Sequence, residues 1–413
     1  MENSNKIKLI KPNYKKSILT IPNTILEYCG IQNEHPKNKL LARQFARGYK
    51  NIVLLIIDSL GVETLTQQLP KTSCLRKKMK ARLLSTFPST TACALTTLHT
   101  GLYPGEHGWL GTNMYVEPLD QVISVYKNKD TYTGKIIKDD RYYASYMPYQ
   151  TIYNRIDELA QSKITIHTVF PPFVEEVSDN NYYYSTTEEM YSVISKKCKQ
   201  TGKKVIVAYE DKVSQAIHKF GASTQEVNSL ILEHERQIEL LQEKCPDSLI
   251  IITADHGQLD NNGKTYRIDE HPDLCNLFVR QPAIEPRAIS FEIKNGSEKD
   301  FKRLFNKYYK QDFALYTAKK LLAKKPFGAN TSNYINLLVG NFMAISKNES
   351  RLVYKSTPGT EPDKHMASQS GLSRQEMLVP LILISTKTKK KKPANLKKKA
   401  TNKSKTQSND KKK

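Results

Sequence analysis

Three apolar runs of strand length constrain this chain more than any other feature: NIVLLIID at 51–58, KVIVAYE at 204–210 and SLIIITAD at 248–255. None alternates apolar with polar residues, so both faces of each strand must be covered, a situation met by parallel sheets packed between helices. Between the second and third runs, Val227, Leu230, Ile231, Ile238 and Leu241 recur near helical spacing, and Ser223 is suited to cap that helix at its start. Strand, helix, strand in this order is a βαβ unit, which predicts an α/β fold with a doubly wound, mostly parallel sheet and helices on both faces. KITIHTVF at 163–170 reads as a further strand.

At 413 residues the chain is longer than the roughly 250–300 that one hydrophobic core supports, so the sheet is expected to carry additions. Residues 1–48 read as a polar lead-in with a short helix over 21–29. The core is assigned to 49–285 and 329–385, with GNFMAIS and MLVPLILI returning the chain to the main sheet. Residues 286–328 change texture, with a strand at RAISFEIK and a basic, aromatic helical stretch after it, and read as a small α/β cap. Residues 386–413 form a lysine-rich tail without hydrophobic periodicity, expected to be disordered.

The formal net charge of +23 suggests a polyanion partner until its location is considered. From Lys387 onward there are 13 lysines and one aspartate, a balance of +12 that leaves +11 on the 386 residues before it. The tail is therefore read as a solvated segment, able at most to touch polyanions without sequence specificity. No run reaches the roughly 18–20 apolar residues of a membrane span, and MENSNKIKLIKPNYKKS lacks the apolar stretch of a secretory signal. Six scattered cysteines without a CxxC pair indicate neither a disulfide framework nor a cysteine metal site, and a reduced, cytoplasmic setting is expected.

In an open parallel sheet ligands collect at the carboxyl ends of the strands. There IIDSLG ends on Asp58, and IIITADHGQ ends on Asp255 and His256. Each alone is an ordinary turn or cap. Together, two carboxylates and an imidazole at neighbouring strand ends suit a divalent ion, zinc by preference or manganese. A third segment, STFPSTTACALTTLHTG, puts Thr86, Thr90 and Thr91 before or at the start of a probable helix. A threonine there is either a plain cap or a nucleophile whose alkoxide a cation and the helix's positive end would stabilise.

In order and spacing, IIDSLG, FPSTTACALTTLHTGLYPGEHG, ITADHGQ, EPRA and SGLSRQEMLVPLI resemble the alkaline phosphatase superfamily, in its type I phosphodiesterase and nucleotide pyrophosphatase branch. The resemblance implies an alkaline phosphatase-like core, a phosphate ester or nucleotide substrate, and a metal held by Asp58, Asp255 and His256 with the nucleophile. Counting back from Thr100-Gly101 makes Thr91 that nucleophile, with Thr86 and Thr90 as alternatives. It also implies a phosphothreonyl intermediate that water releases, and an asparagine holding a phosphate oxygen, for which Asn113 in GTNMY is the nearest candidate, one position off the usual spacing.

At the second metal position the pattern departs. The family's Asp and His, four residues apart, are here Ser214 and His218, and where relatives read HGGLS or HAGLT this chain reads QSGLS, with Gln369 for the histidine. A hydroxyl and an amide are poor zinc ligands, so this position is expected to bind metal weakly, with Asp211 and His365 as the nearby residues that could compensate. Two further readings follow: a non-catalytic descendant that keeps the fold as a binding or scaffold protein, and a dedicated nucleic-acid binder, against which the lack of any known binding motif counts.

Overall fold

A computed structural model describes residues 7–139, 141–158, 163–172, 180–354 and 365–387. The main sheet has seven strands in the order Met79–Leu84, Leu378–Ser385, Ser248–Thr253, Asn51–Ile57, Lys203–Glu210, Ile164–Phe170 and Asn181–Tyr183. At its centre Asn51–Ile57 runs parallel to both neighbours, pairing Ile57 with Glu210 on one side and Ile56 with Thr253 on the other. All seven residues of that strand are buried, as are six of six in Ser248–Thr253. That is why the runs lack alternation: each side chain meets a helix layer. Leu378–Ser385 is the one strand running against the rest.

Between the parallel strands lie helices Lys212–Phe220 and Gln225–Lys244. The longer one has Thr224, not Ser223, at its N-cap position, without a side-chain cap, and it buries Val227, Ile231, Ile238 and Leu241 in the core of the sheet. The amino-terminal segment is no loose lead-in. Helices Thr20–Tyr28 and Lys39–Phe45 pack Ile21, Ile25, Leu26, Leu41 and Phe45 into the same core as the central strand. Its apolar residues are few but helically spaced, enough for one buried face.

A second sheet, antiparallel throughout, runs Phe313–Thr317, Phe342–Ser346, Ala288–Phe291, Ala283–Glu285, Asn113–Val116, Gln121–Ser124 and Lys129–Asp130. It draws on far more of the chain than 286–328. GNFMAIS belongs to it rather than to the main sheet, because Phe342–Ser346 pairs with Ala288–Phe291 and Phe313–Thr317. Within the basic stretch, Glu298–Tyr309 is a helix, but Phe313–Thr317 is a strand.

The two layers are joined by a buried ion pair. Arg287, 1 % exposed, donates from Nε to Glu376 Oε1 at 2.7 Å and from Nη2 to Oε2 at 3.1 Å. Burial works to raise the Glu376 carboxyl, but Arg287 and the Ser373 and Gly371 donors hold it below its ordinary value. EPRA and SGLSRQEM thus meet in space. The expected disorder of residues 386–413 falls, beyond Lys387, outside the described residues. No helix among the described residues is long and apolar enough to cross a membrane.

Candidate active site

Asp58 follows directly on the central strand, and its N–H still donates to Glu210 O at 2.8 Å, so the carboxylate leaves the sheet at a fixed point. The chain then turns sharply through Ser59 at φ 64°, a left-handed conformation that costs a non-glycine residue on the order of 1–3 kcal/mol. Next to it runs the loop after the neighbouring strand. A Cβ on Gly61 would meet Gly257 Cα at 2.8 Å, and one on Gly257 would meet Gln375 O at 2.1 Å. Only paired glycines permit this approach, which brings Asp58 beside Asp255 and His256.

Asp58, Asp255 and His256 bring three potential ligand atoms within 4.8 Å of one another, and no other trio of His, Cys, Asp or Glu does so among the described residues. All three are buried. The outer atoms are satisfied by the protein: Tyr209 O–H donates to Asp58 Oδ2 at 2.7 Å, Ser59 N and His256 N donate to Asp255 Oδ1 at 3.2 and 2.8 Å, and His256 Nδ1 faces Gly257 O at 3.0 Å. A carbonyl only accepts, so Nδ1 carries the proton and Nε2 presents a lone pair inward. Nε2 lies 3.7 Å from Asp58 Oδ1 and 3.3 Å from Asp255 Oδ2, and the latter oxygen is buried without a hydrogen-bond partner. Three acceptor atoms gathered at one point, with the buried Asp255 Oδ2 left without a partner, make a place where a cation would supply the missing interaction. The residues therefore fit a divalent ion. Without one, burial, then Asp255, raise the Asp58 carboxyl well above its ordinary range, and burial lifts Asp255 from 3.8 to about 6.

Of the three candidate threonines, the structure brings one to this point. Thr91, the first residue of helix Thr91–Thr100, lies with Oγ1 3.0 Å from His256 Nε2. The other two hydroxyls are committed elsewhere, Thr86 to Pro88 O at 2.9 Å and Thr90 to Glu285 Oε1 at 2.9 Å. Glu285, which also accepts from Thr112 N at 2.7 Å, ties the helix start to the second sheet, and burial raises its carboxyl.

Asn113 is not brought to the site. It begins a strand of the second sheet, where its Oδ1 accepts from Thr131 at 3.0 Å, and it lines a separate small cavity. Thr112, one residue earlier, lines the main pocket instead. That pocket, of about 480 Å³, opens beside Asp58 and Thr91 and is walled by Trp109, Tyr126 and Tyr149.

His218 stands on the far side, where the expected second metal position has become a hydrogen-bond network. Gln258 Nε2 lies 2.8 Å from Ser59 Oγ, 3.1 Å from Ser214 Oγ and 3.1 Å from His218 Nε2, while Ser59 Oγ and Ser214 Oγ are 3.0 Å apart. His218 Nδ1 faces Ala367 O at 3.1 Å and so carries the proton, leaving Nε2 to accept from the amide. Burial first, then His365, push its pKa down to about 4. His365 packs edge-on against His218 with ring centroids 4.4 Å apart, and Asp211 lines the pocket nearby with its carboxylate held by Gln215. Sequence reasoning did not single out Tyr209, Gln258, Glu285 or Thr112. The first two were signalled only as polar ends of apolar runs, and Glu285 only as part of EPRA.

A sequence model of the family described as type I phosphodiesterase / nucleotide pyrophosphatase matches residues 52–370. A search of curated protein sequences finds no match. Among solved structures, the fold is similar to murine ectonucleotide pyrophosphatase / phosphodiesterase 5, with a TM-score of 0.60 at 12 % identity over 80 % of this chain and 87 % of that one. The human counterpart gives 0.58 at 12 % identity, again over 80 % and 87 %. Phosphonoacetate hydrolase from Sinorhizobium meliloti 1021, in complex with phosphonoformate, gives 0.58 at 12 % identity over 84 % of this chain and 92 % of that one.

Proposed function

The chain belongs to the type I phosphodiesterase / nucleotide pyrophosphatase family, and on that premise we propose that it hydrolyses phosphodiester or phosphoanhydride bonds of nucleotide-like substrates, with Thr91 as nucleophile beside one divalent cation. The observation that carries this reading is Thr91 Oγ1 lying 3.0 Å from His256 Nε2, within the one trio among the described residues that could hold an ion. A solved structure of the murine relative is an inactive threonine-to-alanine variant in complex with AMP, which supports both the nucleophile and the substrate class.

Asp58, Asp255 and His256 would hold the ion, zinc or manganese, which when bound lowers the pKa of a neighbouring hydroxyl and neutralises charge on the transferring group. The chain's own residues do the rest. Tyr209 holds Asp58 by Oδ2, and Ser59 N and His256 N hold Asp255 by Oδ1, so both carboxylates keep one oxygen turned inward. Thr91 attacks phosphorus, the bond to the leaving alcohol or phosphate breaks, and water later cleaves the phosphothreonyl ester. The start of helix Thr91–Thr100, where Thr90 makes no side-chain cap, receives a phosphoryl oxygen, with the helix dipole favouring the negative charge gathering there. Trp109, Tyr126 and Tyr149 cover an aromatic or sugar-bearing portion of the substrate.

Purified protein supplied with zinc or manganese should cleave a chromogenic nucleotide phosphodiester, and Thr91→Ala should remove that cleavage while leaving the fold intact. The neutral network around His218 favours one competing reading, a descendant that binds nucleotides without turning them over. Absence of turnover with every metal tried, in a normally folded protein, would establish that reading instead.

A further inference from the structure

We propose that Lys127 is a substrate-binding residue that supplies the positive charge a phosphoryl group needs beyond the single metal ion, an inference that rests on the phosphoesterase reading above. A divalent ion between Asp58 and Asp255 is balanced by the two carboxylates, so an incoming phosphodiester or phosphate anion enters with its own charge uncompensated. On the far side, Ser214, Gln258 and His218 offer no positive charge: Gln258 Nε2 is engaged with Ser214 Oγ and His218 Nε2, and burial first, then His365, push the pKa of His218 down to about 4. Asp211, also lining the pocket, makes the deficit worse.

Among the described residues that line this pocket, Lys127 is the only lysine or arginine. It follows Tyr126 in the turn between strands Gln121–Ser124 and Lys129–Asp130, which reaches from the second sheet over the main sheet's strand ends. Two further observations place this turn. Lys127 lines the same pocket as His218, on whose ring His365 packs edge-on. Tyr126, half of which meets solvent, lines that pocket together with Asp58, Thr91 and Tyr149. Tyr126 and Lys127 thus line one pocket with Asp58, Thr91 and His218, in which a phosphoryl group beside Thr91 would sit. A lysine there acts as a point charge on a flexible stem, able to meet an oxygen that no fixed donor reaches.

The test is calorimetric titration of the zinc-loaded full-length protein with inorganic phosphate, for wild type, Lys127→Met and Lys127→Arg, at two salt concentrations. Loss of a charge-assisted hydrogen bond predicts about 10- to 100-fold weaker phosphate binding in Lys127→Met with a flatter salt dependence, and retention of most of the affinity in Lys127→Arg. Equal affinity in wild type and Lys127→Met, or no phosphate binding by wild type, would overturn the inference. Turnover of a chromogenic phosphodiester, measured in parallel, separates the two claims. A wild type that turns over while Lys127→Met changes neither turnover nor binding defeats only the role of Lys127, whereas a wild type without turnover whose phosphate affinity still depends on Lys127 defeats only the hydrolytic reading.

Discussion

His256 shows how much a single proton position decides. With Nδ1–H spent on Gly257 O, the ring can only accept at Nε2, where it faces the unpartnered Asp255 Oδ2 at 3.3 Å. With no cation beside it, the Asp255 carboxyl is lifted from 3.8 to about 6 by burial itself. For an acid raised on folding, stability is whole below its unfolded value and is lost as pH rises through the folded one, here between 3.8 and about 6. In the metal-free protein at neutral pH the loss is about 3 kcal/mol. Asp255→Asn, which keeps the Oδ1 acceptor, should thus raise the melting temperature of metal-free protein at pH 7 and not near pH 4, while abolishing the rise that zinc gives wild type. Differential scanning calorimetry in chelator and in zinc checks both. At this scale the sequence was partly legible. Asp58, Asp255 and His256 could be read because each ends an apolar run. Thr86, Thr90 and Thr91 could not be separated, since only the partners of the first two hydroxyls, Pro88 O and Glu285, set them apart.

Elements deliver these residues through a few close approaches. The Gly61 and Gly257 backbones touch, so the loops after two parallel strands are locked as one unit. Arg287 and Glu376 do the same between the sheets, in a buried pair with two hydrogen bonds. Breaking such a pair from one side strands a charge and costs about 3–5 kcal/mol, whereas replacing both partners with apolar groups of similar volume is often neutral. Arg287→Ala should accordingly lose most of that amount in denaturant unfolding, and Arg287→Met with Glu376→Leu should recover much of it. The parallel strands were legible because burial on both faces writes itself as unbroken apolar sequence. Strands of the second sheet were not: Ala283–Glu285 and Asn113–Val116 are three and four residues long, and they meet at Ile284 and Asn113, far apart in the chain. Nothing in either segment announces the other. The same opacity explains Asn113, whose neighbour Thr112 lines the pocket while Asn113 turns to Thr131.

Across the whole molecule, a mostly parallel sheet supplies the proposed metal ligands Asp58, Asp255 and His256 and leads to the helix of Thr91, the proposed nucleophile, and an antiparallel sheet supplies Glu285, Thr112 and the turn carrying Tyr126 and Lys127. The pocket between them is asymmetric in charge, with an ion-holding trio on one side and a neutral network around His218 on the other. That asymmetry is the account's central claim, and anomalous diffraction at the zinc edge from zinc-soaked crystals tests it most directly. One strong peak is predicted, about 2 Å from Asp58, Asp255 and His256 and within reach of Thr91 Oγ1, with none beside His218. A peak coordinated by His218 at the Ser214 and Gln258 position, or no peak at the trio, would contradict it.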